Sequence, residues 1–312
     1  MSKTNRIAVI DIGSNTIRLC AFDVSKKSDA SQPKITRVFD AKETVGLASF
    51  MEQTAAGPLL TEAGIQHAIK TIRKQVRRAG IISCQQTYAF ATAAIRNCVN
   101  TKSAVREIED ATGTSIDVIP GETEARLGLA GARLADTLKA GVLIDVGGGS
   151  TEVSCFNGND ITFRTSVPDG SLTLFSQHVA GIIPTAQEFE NMRAAYQKQL
   201  DKAGVPPMDA PAMFGIGGSV RAAARVYGDV FMGGLRPAKL LRSHVQTLIR
   251  TAIEKPDEFS HELLQSTPQR VHTVMPGCVI IATLMDEMEI DALQVVKHGV
   301  REGYVVSRLA EA

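Results

Sequence analysis

Two segments of the sequence carry residues that suit phosphate binding, and both follow one pattern. Each segment is an apolar run that ends in Asp-x-Gly and continues through a short polar turn into a second apolar run. Asp11 and Gly13 mark the first segment, and Asp145 and Gly147 mark the second. Because glycine has no Cβ, backbone N–H groups in such turns can converge on phosphate oxygens. A single Asp-x-Gly hairpin is typical of an ordinary turn, but the matched pair favours a duplicated phosphate-binding unit.

The side chains around the two turns add further donors and possible metal ligands. Serine, threonine and asparagine offer short hydrogen-bonding groups, and Arg18 can offer a charge-assisted fork to a phosphate. Asp11 and Asp145 leave their strands beside the turns, where each could hold a phosphate-bound Mg²⁺ directly or through water. The predicted phosphate-binding residues of the turns are Gly13, Ser14, Asn15, Thr16, Arg18, Gly147, Gly148, Gly149, Ser150 and Thr151.

Patterns for other chemistries are absent from the sequence. There is no G-x-x-x-x-G-K-[ST] loop, and residues 215–220 fail G-x-G-x-x-G because Val220 occupies the last position. The sequence contains no H-E-x-x-H motif, and its six histidines lack metal-ligand spacing. Ser/His/Asp catalysis has no nucleophile elbow to start from. The two turns are therefore the main candidates for chemistry.

The composition of the chain disfavours several other classes of protein. The 312 residues include 34 Lys and Arg against 33 Asp and Glu, which indicates no nucleic-acid or membrane partner. Aromatic residues make up 5% and tryptophan is absent, which disfavours a surface for stacking bases. No apolar stretch approaches the ~18 residues of a membrane helix, and the start resembles no signal peptide. With five scattered cysteines, we expect a cytoplasmic protein whose thiols are reduced.

Alternating strand and helix patterns predict a layered α/β protein. Strands are predicted at residues 6–12 and 17–24 around the first turn, and at residues 141–146 and 151–156 around the second. An Ala/Gly-rich helix with a closely packing face is predicted at residues 122–138.

A further helix is predicted at residues 61–79, where Ile65, Ile69, Ile72 and Val76 share one stripe. The remaining surface of this helix is basic, which indicates either a solvated face or an entrance for a polyanion. Its basic residues are Lys70, Arg73, Lys74, Arg77 and Arg78.

Six motifs in one order extend over nearly the whole chain. They are Asp11-Ile-Gly-Ser-Asn-Thr-Ile-Arg18, Ala91-Thr-Ala-Ala-Ile-Arg96, Gly121-Glu-Thr-Glu124-Ala-Arg-Leu-Gly128, Asp145-Val-Gly-Gly-Gly-Ser-Thr-Glu152, Gly215-Ile-Gly-Gly-Ser219 and Gly299-Val-Arg-Glu-Gly303. With these motifs the sequence resembles the exopolyphosphatase / guanosine pentaphosphate phosphohydrolase family, within the sugar kinase–Hsp70–actin superfamily.

The resemblance implies a fold and its domain limits. The expected fold is α/β, with two actin-like (ribonuclease H-like) domains and an interdomain active-site cleft. Domain I is expected at residues 1–125, completed by a C-terminal helix at 300–312, and domain II at residues 126–299. Family membership also implies a homodimer, for which the apolar residues around 275–288 are weak support.

The resemblance also assigns roles to residues that the turns alone do not identify. Glu124 is expected to be the catalytic base, with Glu152 as its partner in placing or activating the water. Arg96 matches a phosphate-holding position, and Asp11 and Asp145 match the metal-side carboxylates. A second-domain Gly-rich turn, where actin-like relatives place a nucleotide, is formed by Gly217, Gly218 and Ser219. Since Glu122 and Glu124 point in different directions on a helix, we expect only Glu124 in the site.

Three positions depart from the family pattern. Thr16 stands where serine is common, which keeps the hydroxyl. Asn97 follows Arg96 where an acidic residue is usual, so the salt bridge that orients the arginine is expected to be missing. Around Arg270, the residues Val271-His272-Thr273 replace a more apolar, small-residue pattern, which leaves the role of this segment open.

The expected activity is Mg²⁺-dependent release of terminal orthophosphate from inorganic polyphosphate, with a monovalent cation as a candidate second cofactor. Because the chain stops after the last helix motif, short polyphosphates are the expected preference. The same loops suit the 5′ γ-phosphate of guanosine pentaphosphate or another nucleoside triphosphate, with guanosine penta- or tetraphosphate as the partner.

A non-enzymatic alternative is an actin-like nucleotide-binding protein or alarmone sensor, which would need the loops but not Glu124 with Glu152. A sugar kinase would need a base in a sugar pocket, for which no motif is present.

Overall fold

The chain folds into two compact units. The structure is a computed structural model that describes residues 5–25, 34–135, 138–206 and 211–311. Unit 1 comprises Met1–Pro120 with Tyr304–Ala312, and unit 2 comprises Gly121–Gly303. The chain passes from unit 1 to unit 2 between Pro120 and Gly121, just before the helix that carries Glu124. The predicted domain limit at residue 125 falls inside this helix. Glu124 therefore belongs wholly to unit 2.

Unit 1 contains a five-stranded sheet, a small hairpin and helices. Its strands are β1 (Asn5–Ile12), β2 (Thr16–Ser25), β3 (Lys34–Thr44), β4 (Met51–Thr54), β5 (Gly57–Leu60), β6 (Gln86–Ala91) and β7 (Ile116–Val118). Its helices are α1 (Glu62–Ile81), α2 (Ala93–Arg96) and α3 (Thr101–Thr112), with a 3₁₀ turn at Leu47–Phe50. The strand order in the sheet is β3-β2-β1-β6-β7, and β1, β6 and β7 are parallel.

Helix α1 shows how the sequence pattern produces the core of unit 1. Thr61 caps its start, since the side chain accepts a hydrogen bond from the Gly64 N–H. Ile65, Ile69 and Ile72 are buried against the sheet, and the half-buried Val76 packs on the same core, which confirms the predicted apolar stripe.

The basic residues of α1 are mostly tied within unit 1. Arg73 donates to the Ala111 carbonyl, and Lys74 and Arg78 both contact Glu43. These contacts favour a structural explanation of the basic face over an entrance for a polyanion.

Unit 2 contains a six-stranded sheet with helices on both faces. Its strands are β8 (Ala140–Val146), β9 (Thr151–Asn157), β10 (Asp160–Val167), β11 (Met213–Ile216), β12 (Lys239–Leu241) and β13 (Ala292–Val295). Its helices are α4 (Gly121–Ala132), α5 (Ser171–His178), α6 (Ala186–Ala203), α7 (Gly217–Phe231), α8 (Arg242–Glu254), α9 (Pro256–Ser266) and α10 (Val271–Glu287). Helix α11 (Val300–Glu311) begins in unit 2 and ends in unit 1.

The two sheets share one topology. In unit 2 the order is β10-β9-β8-β11-β13-β12, so its first five strands repeat the arrangement of unit 1. In each unit the first strand pairs antiparallel with the second and parallel with a later strand. The predicted duplication of an α/β unit is thus confirmed.

Strand β8 is buried on both faces of the sheet, and its successive side chains point to opposite sides. Val142, Ile144 and Val146 belong to the larger core with α6, α7 and α10. Leu143 packs on the opposite face with residues that include Leu129 of α4. The apolar stretch around residues 275–288 is part of the larger core, so it offers no dimer surface.

Helices α4 and α11 approach closely through two glycines. A Cβ on Gly131 would overlap the Gly299 carbonyl, and one on Gly303 would overlap the Leu127 carbonyl. The predicted closely packing face of α4 is therefore confirmed. The helix ends at Ala132 rather than at residue 138, and residues 136 and 137 lie outside the described part of the chain.

Two further expectations concern membranes and thiols. In the described ranges, no helix combines the length and apolarity that crossing a membrane requires. The cysteines are free: Cys20, Cys98, Cys155 and Cys278 are buried, and Cys84 is half-buried.

Candidate phosphate-binding site

The turn between β1 and β2 has its carbonyl groups engaged inside unit 1. The Gly13 N–H donates to the Thr16 carbonyl at 3.0 Å and closes the turn. The Ser14 carbonyl accepts from the Ala48 N–H, and the Asn15 carbonyl accepts from the amides of residues 45 and 46. A carbonyl oxygen that faced a phosphate would repel it. Because these carbonyls accept hydrogen bonds from the protein instead, the turn suits anion binding.

Arg18 is oriented by an acidic neighbour on the next strand. It lies opposite Asp11 in the β1–β2 register. Its Nε donates to Asp40 Oδ1 at 2.6 Å, and its Nη2 contacts the other oxygen of the same carboxylate. Arg37 also contacts Asp40, at 3.4 Å. Since a guanidinium has five N–H donors, this fork leaves donors of Arg18 for a ligand.

Arg96 lies beyond the end of β6, which runs parallel to β1. The two strands end at the same sheet edge, where the Thr92 N–H donates to the Ile12 carbonyl at 3.2 Å. Arg96 Nη1 donates to the Ile119 carbonyl at 3.1 Å. Asn97 is exposed, and the Ile119 carbonyl helps to orient Arg96. Unit 1 thereby brings Asp11, the turn and the Arg96 segment to one edge.

The turn between β8 and β9 repeats the geometry of the first. The Gly147 N–H donates to the Ser150 carbonyl at 3.0 Å, which is the bond that Gly13 makes with Thr16. Asp145 lies opposite Glu152 in the register, as Asp11 lies opposite Arg18. The second copy therefore places a carboxylate where the first places a guanidinium.

Glu152 is a buried carboxylate held by two hydroxyls. Only 2% of the residue is exposed. Ser150 Oγ and Ser166 Oγ each donate to Glu152 Oε1 at 2.7 Å. Ser166 was missed in the sequence, because its place opposite Glu152 depends on the register of β10 against β9.

Two hydroxyls predicted to contact phosphate donate within the protein. A hydroxyl has one hydrogen, and that of Ser150 is used on Glu152. Thr151 is fully buried, and its hydroxyl donates to the Asp169 carbonyl at 2.9 Å. In this structure these two side chains support the turn.

Glu124 and Glu122 have different environments, as the helix geometry predicts. Glu124 is 8% exposed, in the first turn of α4. Glu122 is exposed and accepts from Arg164 Nε at 3.1 Å. Helix α4 packs against β9 and β10, the strands that carry Glu152 and Ser166.

The Gly-rich turn of residues 217–219 contacts both Asp145 and an arginine that was not assigned from the sequence. Gly217 has φ +89°, and a Cβ there would overlap Asp145 Oδ1. A Cβ on Gly218 would overlap the guanidinium of Arg270. Ser219 is buried, and its hydroxyl donates to Ser171 Oγ at 3.0 Å. Unit 2 thus gathers Asp145, the glycine turn and Arg270 at one place.

A buried acidic residue lies behind the β8–β9 turn. Asp169 is 4% exposed. Desolvation raises the pKa of this carboxyl, against the opposing influence of His178, Gln199 and Lys202.

Asp11 and Asp145 suit a metal that arrives with its phosphate. Within the described ranges, no group of three or more His, Cys, Asp or Glu side chains could hold a metal ion. Mg²⁺ commonly binds one or two carboxylates together with substrate phosphates and water. Either aspartate, placed beside its turn, fits that donor set.

A family model for the Ppx/GppA phosphatase family matches residues 24–312. The chain belongs to this family. The match begins after the first Asp-x-Gly turn, so that turn is supported by the internal repeat and by its own geometry.

Relatives and solved structures agree with membership of the Ppx/GppA family. The chain is 26% identical over 311 residues to "Exopolyphosphatase 1" of Mycobacterium tuberculosis, with 97% of this chain and 88% of the relative covered. It is 24% identical to the "Guanosine-5'-triphosphate,3'-diphosphate pyrophosphatase" of Photobacterium profundum, spanning 97% of this chain and 59% of that protein. The crystal structure of an exopolyphosphatase from Cytophaga hutchinsonii superposes with a TM-score of 0.83 at 20% identity, covering 99% of both chains. This structural likeness supports the α/β fold with two sheet-containing units.

Proposed function

We propose that the protein is an exopolyphosphatase that releases terminal orthophosphate from inorganic polyphosphate and favours short chains. The observation that carries this proposal lies in unit 2. There the carbonyl groups of the β8–β9 turn accept hydrogen bonds from the protein. Next to this turn lies Glu152, a buried carboxylate that accepts hydrogen bonds from two serine hydroxyls. Phosphate binding and water activation need these two kinds of group. The names of the relatives support the same chemistry.

In the proposed reaction, the turns hold phosphate oxygens through backbone N–H groups, and Arg18, Arg96 and Arg270 supply positive charge. Glu124 is the general base that accepts a proton from the attacking water, and Glu152 orients that water. Hydrolysis of a phosphoanhydride requires mainly charge neutralisation and an in-line water. Asp11 and Asp145 would hold Mg²⁺, which when bound neutralises charge on the phosphates.

Hydrolysis of the 5′ γ-phosphate of guanosine pentaphosphate, or of another nucleoside triphosphate, is the second candidate. It is favoured by the similarity to the Photobacterium profundum protein. Both substrates present the same terminal phosphates to the same turns. An alarmone sensor without turnover is disfavoured, since it would not need the hydroxyls that fix Glu152.

The decisive experiment measures phosphate release from polyphosphates of graded length and from guanosine pentaphosphate, with and without Mg²⁺. We expect Mg²⁺-dependent release from polyphosphate, fastest for short chains. Preference for guanosine pentaphosphate would favour the second candidate. No release from any phosphoanhydride, together with tight binding of guanosine tetraphosphate, would favour the sensor.

We further propose that the protein works in the cytoplasm as a homodimer, without a nucleic-acid or membrane partner. The free thiols support the cytoplasmic location. The net charge of +1 supports the statement that neither nucleic acid nor a membrane is a partner. Sedimentation velocity tests the dimer, and activity in K⁺ against Na⁺ buffers tests the monovalent cation.

A further inference from the structure

The first turn of α5 binds the carbonyl groups of the Gly147–Gly148 segment. The Gly147 carbonyl accepts two hydrogen bonds from Ser171, one from its N–H at 2.9 Å and one from its Oγ at 3.0 Å. The Gly148 carbonyl accepts from the N–H groups of Leu172 and Thr173, at 2.9 and 3.0 Å. These bonds draw both oxygens toward the helix.

The direction of these carbonyls matters for an anion. Each peptide unit has its N–H and its carbonyl on opposite sides, so a rotation of the Gly147–Gly148 peptide would exchange them. Glycine allows such a rotation at little steric cost. Two hydrogen bonds to one carbonyl oppose the rotation, because breaking them would leave buried polar groups without partners.

Ser171 is itself oriented by the other glycine turn of unit 2. Ser219 Oγ lies 3.0 Å from Ser171 Oγ, and each residue is 1% exposed. A carbonyl cannot donate, so the Ser171 hydrogen points to Gly147, and the Ser171 oxygen accepts from Ser219. The hydrogen bonds therefore run from Ser219 to Ser171 to the Gly147 carbonyl.

We propose that Ser171 and Ser219 are positioning residues that lock the Gly147–Gly148 peptide in its anion-binding orientation. Ser171 acts on the peptide directly, and Ser219 acts only through Ser171. The inference rests on the proposed function in one respect, that the turn binds phosphate groups. It also changes the role of Ser219, whose hydroxyl supports the turn instead of contacting a ligand.

The test uses Ser171→Ala, Ser219→Ala, the double variant and the control Ser176→Ala. Ser176 lies on the same helix, is exposed, and donates only to the Thr173 carbonyl among its described contacts. Tripolyphosphate is the probe. Its Kd is measured by calorimetry without Mg²⁺, where no turnover is expected, and its KM and kcat are measured by phosphate release with Mg²⁺. Thermal unfolding reports stability separately.

We expect Ser171→Ala to raise both Kd and KM about 3- to 10-fold. The change in kcat should be small, because the turn holds phosphate in the ground and transition states alike. Ser219→Ala should shift Kd in the same direction by less. The double variant should match Ser171→Ala, since residues that act through one another are non-additive. Ser176→Ala should behave as the wild type.

Different failures are distinguishable. An active wild type with unchanged Kd in Ser171→Ala overturns the inference but leaves the proposed function standing. A wild type that binds tripolyphosphate without hydrolysing it, with weaker binding in Ser171→Ala, overturns the function and supports the inference. Additive effects in the double variant overturn the statement that Ser219 acts only through Ser171. A wild type that does not bind the probe overturns the inference as well. Where Ser171→Ala does not fold, Ser219→Ala decides, because it removes only the outer bond.

Discussion

The carboxylate of Asp145 lies against the α-carbon of Gly217, where the parallel strands β8 and β11 end side by side. A methyl group on Gly217 would occupy the place of Asp145 Oδ1. We therefore expect Gly217→Ala to displace the carboxylate and to lower kcat/KM by about 100-fold. Steady-state phosphate release measures the effect.

Gly234 provides a matched control for this substitution. Its φ of +90° is close to the +89° of Gly217, but no atom lies within 4 Å of an added Cβ. Both alanine variants carry a similar backbone strain of about 1–2 kcal/mol, and only Gly217→Ala disturbs Asp145. Equal losses of activity in the two variants would contradict a specific role for the contact.

Glu124→Gln should lower kcat by about 10²- to 10⁴-fold while leaving Kd for tripolyphosphate nearly unchanged. The amide keeps the size of the buried side chain but cannot accept the proton of the water. Glu122→Gln is the control on the same helix turn. Its exposed pair with Arg164 contributes only about 0–1 kcal/mol to stability. If Glu124→Gln retained wild-type turnover, the assignment of the base would be wrong.

Arg18→Ala should raise KM, and the increase should be greatest at low ionic strength, because salt screens the charge that is removed. Arg37→Ala removes a neighbouring cation from the same carboxylate, Asp40. It should change KM much less, since Arg37 is outside the predicted phosphate-binding set. KM measured at several salt concentrations separates the two. Similar changes in both variants would indicate a general field effect and not a contact from Arg18.

Asp169→Asn should stabilise the protein increasingly as pH rises. Burial raises the folded pKa of this carboxyl, so the stability of the wild type falls as pH rises through that folded value. Below the unfolded value of about 3.9 the acid is neutral in both states and the gain should vanish. Thermal midpoints from pH 4 to 8 measure the difference, with the exposed Asp160→Asn as control. A gain that is constant or shrinks with pH would refute this explanation.

A thiol reagent should label mainly Cys84 in the native protein. Burial raises the pKa of Cys98 and Cys155 to about 11 and that of Cys278 to about 12. These thiols are neutral at pH 8 and shielded from reagent, whereas Cys84 is half-buried. Labelling with Ellman's reagent before and after unfolding in guanidinium should give about one and then five thiols. Rapid native labelling of Cys278 would show that the core of unit 2 opens readily.

The fold was largely predictable from local patterns. The strands around both turns and helix α1 follow from apolar periodicity over short windows, which depends only on neighbouring residues. The duplication was visible because the same residues recur around Asp11 and Asp145, and the two sheets then adopt one strand order. The end of α4 was misplaced, since its Ala/Gly-rich pattern continues beyond the point where the helix stops.

By itself, the sequence determined where the two Asp-x-Gly turns and their accompanying carboxylates lie, and it predicted that these turns bind phosphate. Only the tertiary structure decided which hydroxyls turn inward: those of Ser150 and Thr151 bond to Glu152 and to the Asp169 carbonyl. It also placed Arg270 on Gly218. These contacts depend on strand register and on the packing of helices distant along the chain. Short-range patterns carry no information about either, so the partners of these side chains could be identified only in the folded protein.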